Sequence, residues 1–405
     1  VELAVEDANQ MCAGKGIRFE LLVEDTATDP NQASQKLRVL YSKGARLIVG
    51  PMSSGEVNAI KSFADQNHII VVSPSSTSPL LAVPDWIFRM VPTDAAQGKA
   101  IADLLHYLGI KKVAIIYRND AWGVGLKNVI ANESQRLGIQ VVAVEGYDPD
   151  PKAFPQAMPA VVSKVSRAIG QPSPDAAVVF ASFEDDGVAA MSAAGRDPVL
   201  SKVRWIGTDG FAKSEALAKQ VGQYMAATKL LGTIAAPPDP NDPNYKTFAE
   251  KFKAKYGKEP VAYDPYSYDA AMILMKIVCE LGTDDPDKVK ATLEQWAREG
   301  KYAGVTGKVY LDENGDRAFP NFLIWGVVLE GGQAKYIDAG YYYGTDRRIV
   351  VYDQGKSLFQ PLELRQETPK VTQGAEVSVT PILVAAVIII VVVVALLFLM
   401  RKRRK

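Results

Sequence analysis

Val113-Ala114-Ile115-Ile116 and Ala177-Val178-Val179-Phe180 are unbroken apolar runs, and they decide the fold class. A strand with one wet face alternates apolar and polar residues. A strand apolar at every position is covered on both faces, as in a parallel sheet with helices above and below. The same reading extends to other β-rich runs at Ile17–Val23, Arg46–Gly50, Ile69–Ser73, Lys112–Tyr117, Gln140–Glu145, Ala176–Ala181 and Val203–Gly207. Between them lie segments of helical period: Asn31–Lys43, Gly55–Gln66, Ala95–Leu108, Gly123–Leu137, Phe154–Ala168 and Asp185–Ala194. This strand–helix–strand rhythm predicts a doubly wound α/β architecture. The rhythm runs too long for one such sheet, so two lobes are expected.

Further helices are expected at Tyr245–Tyr256, Tyr266–Leu281 and Pro286–Arg298. A hairpin is then expected, with Lys308–Leu311 and Asn321–Val328 flanking Asp312-Glu313-Asn314-Gly315-Asp316. That acidic turn lacks the ligand spacing of a calcium loop, so no metal is assigned to it.

The pattern decays after Gln354, and residues 354–380 read as a polar stalk carrying Pro361, Pro369 and Gly374. Residues 381–400 read as a transmembrane helix. Its apolar part, Ile382–Met400, holds nothing charged or polar. At ~1.5 Å per residue it spans roughly 28 Å, close to the hydrocarbon thickness of a bilayer. Arg401-Lys402-Arg403-Arg404-Lys405 then marks the cytoplasmic side, which places the rest of the chain outside the cell.

The chain has 46 basic and 46 acidic residues. Without the five tail cations the balance is 41 against 46, or −5. No basic face for nucleic acid results. No charged-then-apolar leader is visible, since Val1–Ala8 already reads as an amphipathic helix. The N-terminus is therefore expected to be processed, or the sequence to be continued upstream. Outside the cell the two cysteines, Cys12 and Cys279, are either a disulfide or two buried thiols. His68 and His106 read as structural. No zinc-protease, serine-hydrolase or phosphate-loop motif occurs, so neither an enzyme nor a cofactor is expected.

Three loops follow expected strands, where open α/β sheets take ligands. They are Gly50-Pro51-Met52-Ser53-Ser54-Gly55, Ser73-Pro74-Ser75-Ser76-Thr77-Ser78-Pro79 and Gly207-Thr208-Asp209-Gly210. Each alone reads as a helix cap. Together they bracket a zwitterion, with a carboxylate at Ser54 and Thr77 and an ammonium at Asp209.

The sequence resembles the periplasmic-binding-fold type 1 proteins of the leucine/isoleucine/valine-binding class. The resemblance runs from Val1 to about Val328. It is carried by Ala4-Val5-Glu6-Asp7-Ala8-Asn9, Val23-Glu24-Asp25-Thr26-Ala27-Thr28-Asp29-Pro30, the Gly50-Pro51 and Ser73-Pro74 loops, Trp122-Gly123-Val124-Gly125, Tyr268-Asp269-Ala270, and Gly304-Val305-Thr306-Gly307. It implies two lobes, residues 1–91 with 233–306 and residues 92–232 with 307–353. It also implies three crossings, near Arg89–Thr93, Gly232–Pro237 and Gly304–Val309, and a first strand ahead of Val1. Carried over residue by residue, Ser54 and Thr77 would meet a ligand carboxylate, with main-chain contacts at Ser75 and Ser76. Asp209 would receive the ammonium. Trp122, where the family often has tyrosine, would be an aromatic wall, with a second near Ser182-Phe183. Tyr263 would line the cleft near the hinge. Cys12 and Cys279 would fall in one lobe, which permits a disulfide. The expected function is capture of a small amino acid, branched-chain or otherwise apolar, for an ABC transporter permease in the membrane. A ligand sensor and a surface or filament component without ligand are the alternatives. The C-terminal anchor is similar to the arrangement of archaeal surface proteins.

Overall fold

Local chemistry sets where the first helices begin in the computed structural model, which describes residues 1–261, 263–318 and 320–363. α1 (Glu2–Cys12) opens the chain. Asp29 caps α2 (Pro30–Ser42) by accepting from the Asn31 and Gln32 N–H groups, and Pro30 brings a preset φ to the first turn. β1 (Leu47–Val49) leads to α3 (Ser54–Gln66), which Ser53 and Glu56 start as a reciprocal capping box. β2 (Ile70–Ser73) and β3 (Ile87–Arg89) complete a three-stranded parallel sheet in the order β1-β2-β3.

The chain then leaves for a second sheet through α4 (Asp94–Tyr107). There β4 (Lys112–Arg118), α5 (Ala121–Arg136), β5 (Gln140–Tyr147), α6 (Phe154–Ile169), β6 (Ala176–Ala181), α7 (Glu184–Ala194), β7 (Arg204–Gly207), α8 (Glu215–Ala227) and β8 (Leu231–Ala235) alternate. It returns to the first sheet with α9 (Pro243–Tyr256), α10 (Asp264–Leu281), α11 (Pro286–Glu299), β9 (Ala303–Gly304) and β10 (Gly307–Lys308). It crosses a third time to β11 (Phe322–Glu330), β12 (Gln333–Tyr343), β13 (Arg348–Val351) and the short α12 (Lys356–Phe359). The second sheet has eight strands in the order β13-β12-β11-β8-β7-β6-β4-β5, parallel from β8 to β5 and antiparallel from β8 to β13.

The apolar runs do in the structure what their pattern requires. In β6, Val178 and Phe180 enter a core with Met158, Trp205 and Met225, while Ala177 and Val179 face the opposite core with Leu104, Leu126 and Ile206. The period of two thus feeds both faces at once. Each large apolar side chain so buried contributes about 1.5–3 kcal/mol. A third core, under the first sheet, packs α10 (Ala270, Ile273, Ile277) on Ile70 and Val72.

Three further devices hold the assembly. Cys12 on α1 and Cys279 on α10 form a disulfide with Cα atoms 6.0 Å apart. Arg89, at the first crossing, makes a fork-to-fork pair with Asp316 at 2.5 and 2.6 Å and also donates to the Ser78 carbonyl. The carboxylate of Asp269 on α10 accepts from Tyr302, Val305 and Thr306, which ties that helix to the β9–β10 corner.

Four expectations are corrected. Ile17–Val23 joins no sheet among the described residues. Phe19 instead exchanges hydrogen bonds with the Asn9 side chain, and a cavity of roughly 600 Å³ separates residues 17–22 from β1. Lys308–Leu311 and Asn321–Val328 do not form a hairpin. The acidic turn closes on one Leu311–Arg317 bridge because Asp316 is drawn to Arg89, and β11 pairs with β8 and β12. The stalk does not begin at Gln354, since Leu358 and Leu362 are buried and Leu358 packs against the eight-stranded sheet. α8, α12, β3, β8, β9, β12 and β13 are elements the sequence reading does not contain. No helix of the described residues is long and apolar enough to cross a membrane; the expected anchor at 381–400 lies outside those residues.

Candidate functional site

The three loops singled out in the sequence sit at strand ends, where the two bodies face each other. The capping box turns Ser54 inward at the start of α3, and its hydroxyl is buried. Ser54 Oγ lies 3.0 Å from Ser76 Oγ and accepts from the backbone N–H groups of Thr77 and Ser78, both at 3.2 Å. Ser76 N–H donates in turn to Ser73 Oγ. Ser54, Ser76 and Thr77 are thus one hydrogen-bonded unit. Ser75 stands apart from it, because its hydroxyl donates outward to the Met52 carbonyl at 2.8 Å.

Thr77 reaches the other body. Its hydroxyl donates to Asp94 Oδ2 at 3.0 Å, and its carbonyl accepts from the Asp94 N–H at 2.8 Å. Beside it, Ser78 Oγ donates to the Ala121 carbonyl at 2.6 Å, at the start of α5. Asp209 closes the other side. Its Oδ2 accepts from the Tyr263 hydroxyl at 2.8 Å, which joins the β7 loop to the start of α10. Burial pushes the Asp209 carboxyl above the usual carboxylate range, and the Tyr263 hydroxyl and the nearby Gln97 amide pull it partly back. Burial and the adjacent Asp209 charge push Tyr263 well above its usual range, so it stays a donor.

The aromatic expectations meet as a pair. Trp122, on the first turn of α5, stacks on Phe183 with ring centroids 5.0 Å apart and planes at 22°. The Arg118 guanidinium lies over the Phe183 ring, 4.1 Å from its centroid, and is fixed by Asp120 and Asp186. Gly210 gives the stack its room. A Cβ there would stand 2.4 Å from the Ser182 carbonyl oxygen and 2.7 Å from Trp122. Ser182 is fully buried, and its Oγ has no partner among the described residues.

Two residues of the site were not foreseen, Asp94 and Gln97. Asp94 is completely buried, and one of its oxygens, Oδ1, has no hydrogen-bond partner among the described residues. Gln97, one turn along α4, donates to the Thr233 carbonyl and hydroxyl at 3.2 and 3.1 Å. In sequence, Pro92-Thr93-Asp94-Ala95-Ala96-Gln97 reads as an ordinary helix start, so no signal separated these side chains from capping.

The arrangement offers hydroxyls and main-chain groups from one body, carboxylates from the other, and an aromatic stack beside them. Comparison with known proteins agrees in fold and family. An uncharacterized protein of Methanocaldococcus jannaschii is 32% identical over 349 residues, covering 82% of this chain and 82% of that protein. A Leu/Ile/Val-binding protein homologue of Brucella suis is 25% identical and covers 83% of this chain and 86% of its own length. The crystal structure of a leucine-binding protein from Thermotoga maritima superposes with a TM-score of 0.66 at 23% identity, over 87% of this chain and 94% of that one. The fold is that of a periplasmic binding protein type 1. The family described as the receptor family ligand binding region matches residues 1–330, and the chain belongs to it.

Proposed function

We infer that the protein captures a small amino acid, branched-chain or otherwise apolar, between its two bodies and passes it to an ABC importer. The observation that carries this reading is the pairing across the cleft: Ser54, Ser76 and Thr77 on one side, Asp209 on the other. A carboxylate fits the Ser54–Ser76 hydroxyl pair, and an ammonium fits Asp209. The Trp122–Phe183 stack supplies apolar surface for the side chain. Relatives named as Leu/Ile/Val-binding homologues and as an amino acid binding protein support this ligand class.

Capture proceeds by closure. The loop of one body holds one end of the ligand, and Asp209 completes the site only when the bodies meet. Ligand shifts the open–closed balance by that difference in affinity and by no more. An apolar amino acid of this size reaches micromolar affinity, about −8 kcal/mol, within the usual bound per heavy atom. On this reading residues 381–400 tether the receptor to the membrane, outside the cell, where the tether raises its effective concentration at a permease. A thermal-shift panel of amino acids tests the ligand class. Leucine, isoleucine or valine should raise the melting temperature in proportion to saturation. No shift with any of the twenty amino acids removes the reading.

A further inference from the structure

Arg118 is a charged residue of the second body that the ligand scheme does not use. It ends β4, and its side chain is only 13% exposed. Its Nε donates to Asp120 Oδ2 at 2.9 Å, and its Nη1 donates to Asp186 Oδ2 at 2.7 Å. Its Cζ lies 4.1 Å from the centre of the Phe183 ring. One planar group therefore meets two carboxylates and an aromatic face at once.

Each contact fixes a carrier of the aromatic wall. The other oxygen of Asp120 accepts from the Gly123 N–H at 2.9 Å, so Asp120 is the cap that starts α5. Trp122 stands on that first turn. Asp186 stands on the first turn of α7, directly after Phe183 at its cap position. No side chain caps α7. Asp186 instead ties its first turn to β4 through Arg118 and to β5 through the Tyr147 hydroxyl. The two rings differ in placement. Trp122 is 3% exposed, whereas Phe183 is half-buried, so Phe183 presents the more open surface. That is the ring over which Arg118 lies.

We propose that Arg118 is a positioning residue for the aromatic wall: by holding Asp120, Asp186 and Phe183 together it fixes the starts of α5 and α7 against each other, and so sets the size of side chain the cleft accepts. The inference rests on the reading of the cleft as an amino-acid site and assigns its size selectivity. A guanidinium suits this role because its fork is planar and rigid, while an ammonium is a point charge on a flexible stem. All the residues involved belong to the second body, so the wall is set before a ligand arrives. A ligand then meets a preorganised surface and does not have to order the two rings.

The test is isothermal calorimetry of the folded protein with L-leucine and the bulkier L-phenylalanine, beside the near-ultraviolet circular dichroism of its tryptophans. Arg118→Lys keeps the charge and loses the planar fork. Because the chain has five tryptophans, a Trp122→Phe protein identifies the part of the spectrum that arises from the stack. Arg118→Lys should weaken leucine about tenfold and phenylalanine less, so that the leucine-to-phenylalanine affinity ratio falls at least about threefold. It should also lose the part of the spectrum that Trp122→Phe removes. A merely structural role would lower both affinities together and leave their ratio alone. A ratio that does not fall by that much, or a spectrum superimposable on the wild type, overturns the proposal and leaves the amino-acid reading standing. If the wild type does not bind both probes, the spectrum alone decides the inference. Binding of neither weighs against the amino-acid reading and not against the role of Arg118 in the wall. Should Arg118→Lys fail to fold, Asp120→Asn replaces it under the same two criteria, since asparagine still caps α5 and only the ion pair with Arg118 is lost.

Discussion

The Tyr263 hydroxyl donates to Asp209 Oδ2 at 2.8 Å, and so the start of α10 is bonded to the loop after β7. These two residues lie on different bodies of the chain, and their bond is available only when the bodies are together. Tyr263 thereby holds one lone pair of Asp209 and orients the other oxygen. Tyr263→Phe should weaken leucine binding roughly tenfold, as expected for a hydrogen bond to a charged group. Calorimetry measures it, and an unchanged affinity would mean that Tyr263 does not orient the acid.

The Arg89–Asp316 pair is almost completely buried and closes a contact between residues 227 positions apart. Removing one partner leaves a desolvated charge. Asp316→Ala should therefore cost about 3–5 kcal/mol in unfolding free energy. Urea denaturation followed by fluorescence is the measurement, with loss under ~1 kcal/mol as the contrary outcome.

Cys12 and Cys279 link α1 to α10 across a separation of 267 residues. Cross-links that close long loops restrict the unfolded chain most. Replacing both cysteines with serine should lower stability by about 2–5 kcal/mol, read as a drop in the denaturation midpoint. Equal midpoints for the two proteins would show that the bridge does not stabilise the fold.

Gly210 carries a steric prediction. A methyl group there meets the Ser182 carbonyl and the Trp122 ring, so Gly210→Ala must displace the Trp122–Phe183 stack. The near-ultraviolet circular dichroism of the tryptophan should change, and leucine affinity should fall at least about tenfold. A superimposable spectrum would contradict the packing described.

How much was legible follows from which physics acts locally. Val113–Ile116 and Ala177–Phe180 announced a doubly covered sheet because burial on both faces leaves no polar position in the run. Ile17–Val23 alternates apolar residues with Arg18 and Glu20 and reads as a strand, yet no ladder among the described residues reaches it, since strand pairing is decided by neighbours distant in sequence. β11 was assigned to the wrong partner for the same reason: the turn at 312–316 suggested a hairpin, and a buried arginine 227 residues away took its aspartate. In the site, Ser54, Thr77 and Asp209 stood out because they lie in loops that follow strands, and Trp122 only through the family resemblance, whereas Asp94 was hidden inside a helix start, where aspartate is common. The outward turn of Ser75 depends on the Met52 carbonyl, which spacing alone does not reveal.

Titration of L-leucine into the wild-type protein and into Asp209→Asn, by calorimetry at neutral pH, tests the central claim most directly. The account predicts binding in the micromolar range for the wild type and at least about a hundredfold weaker binding for Asp209→Asn, with both proteins melting cooperatively. Equal leucine affinity in the two proteins would contradict it.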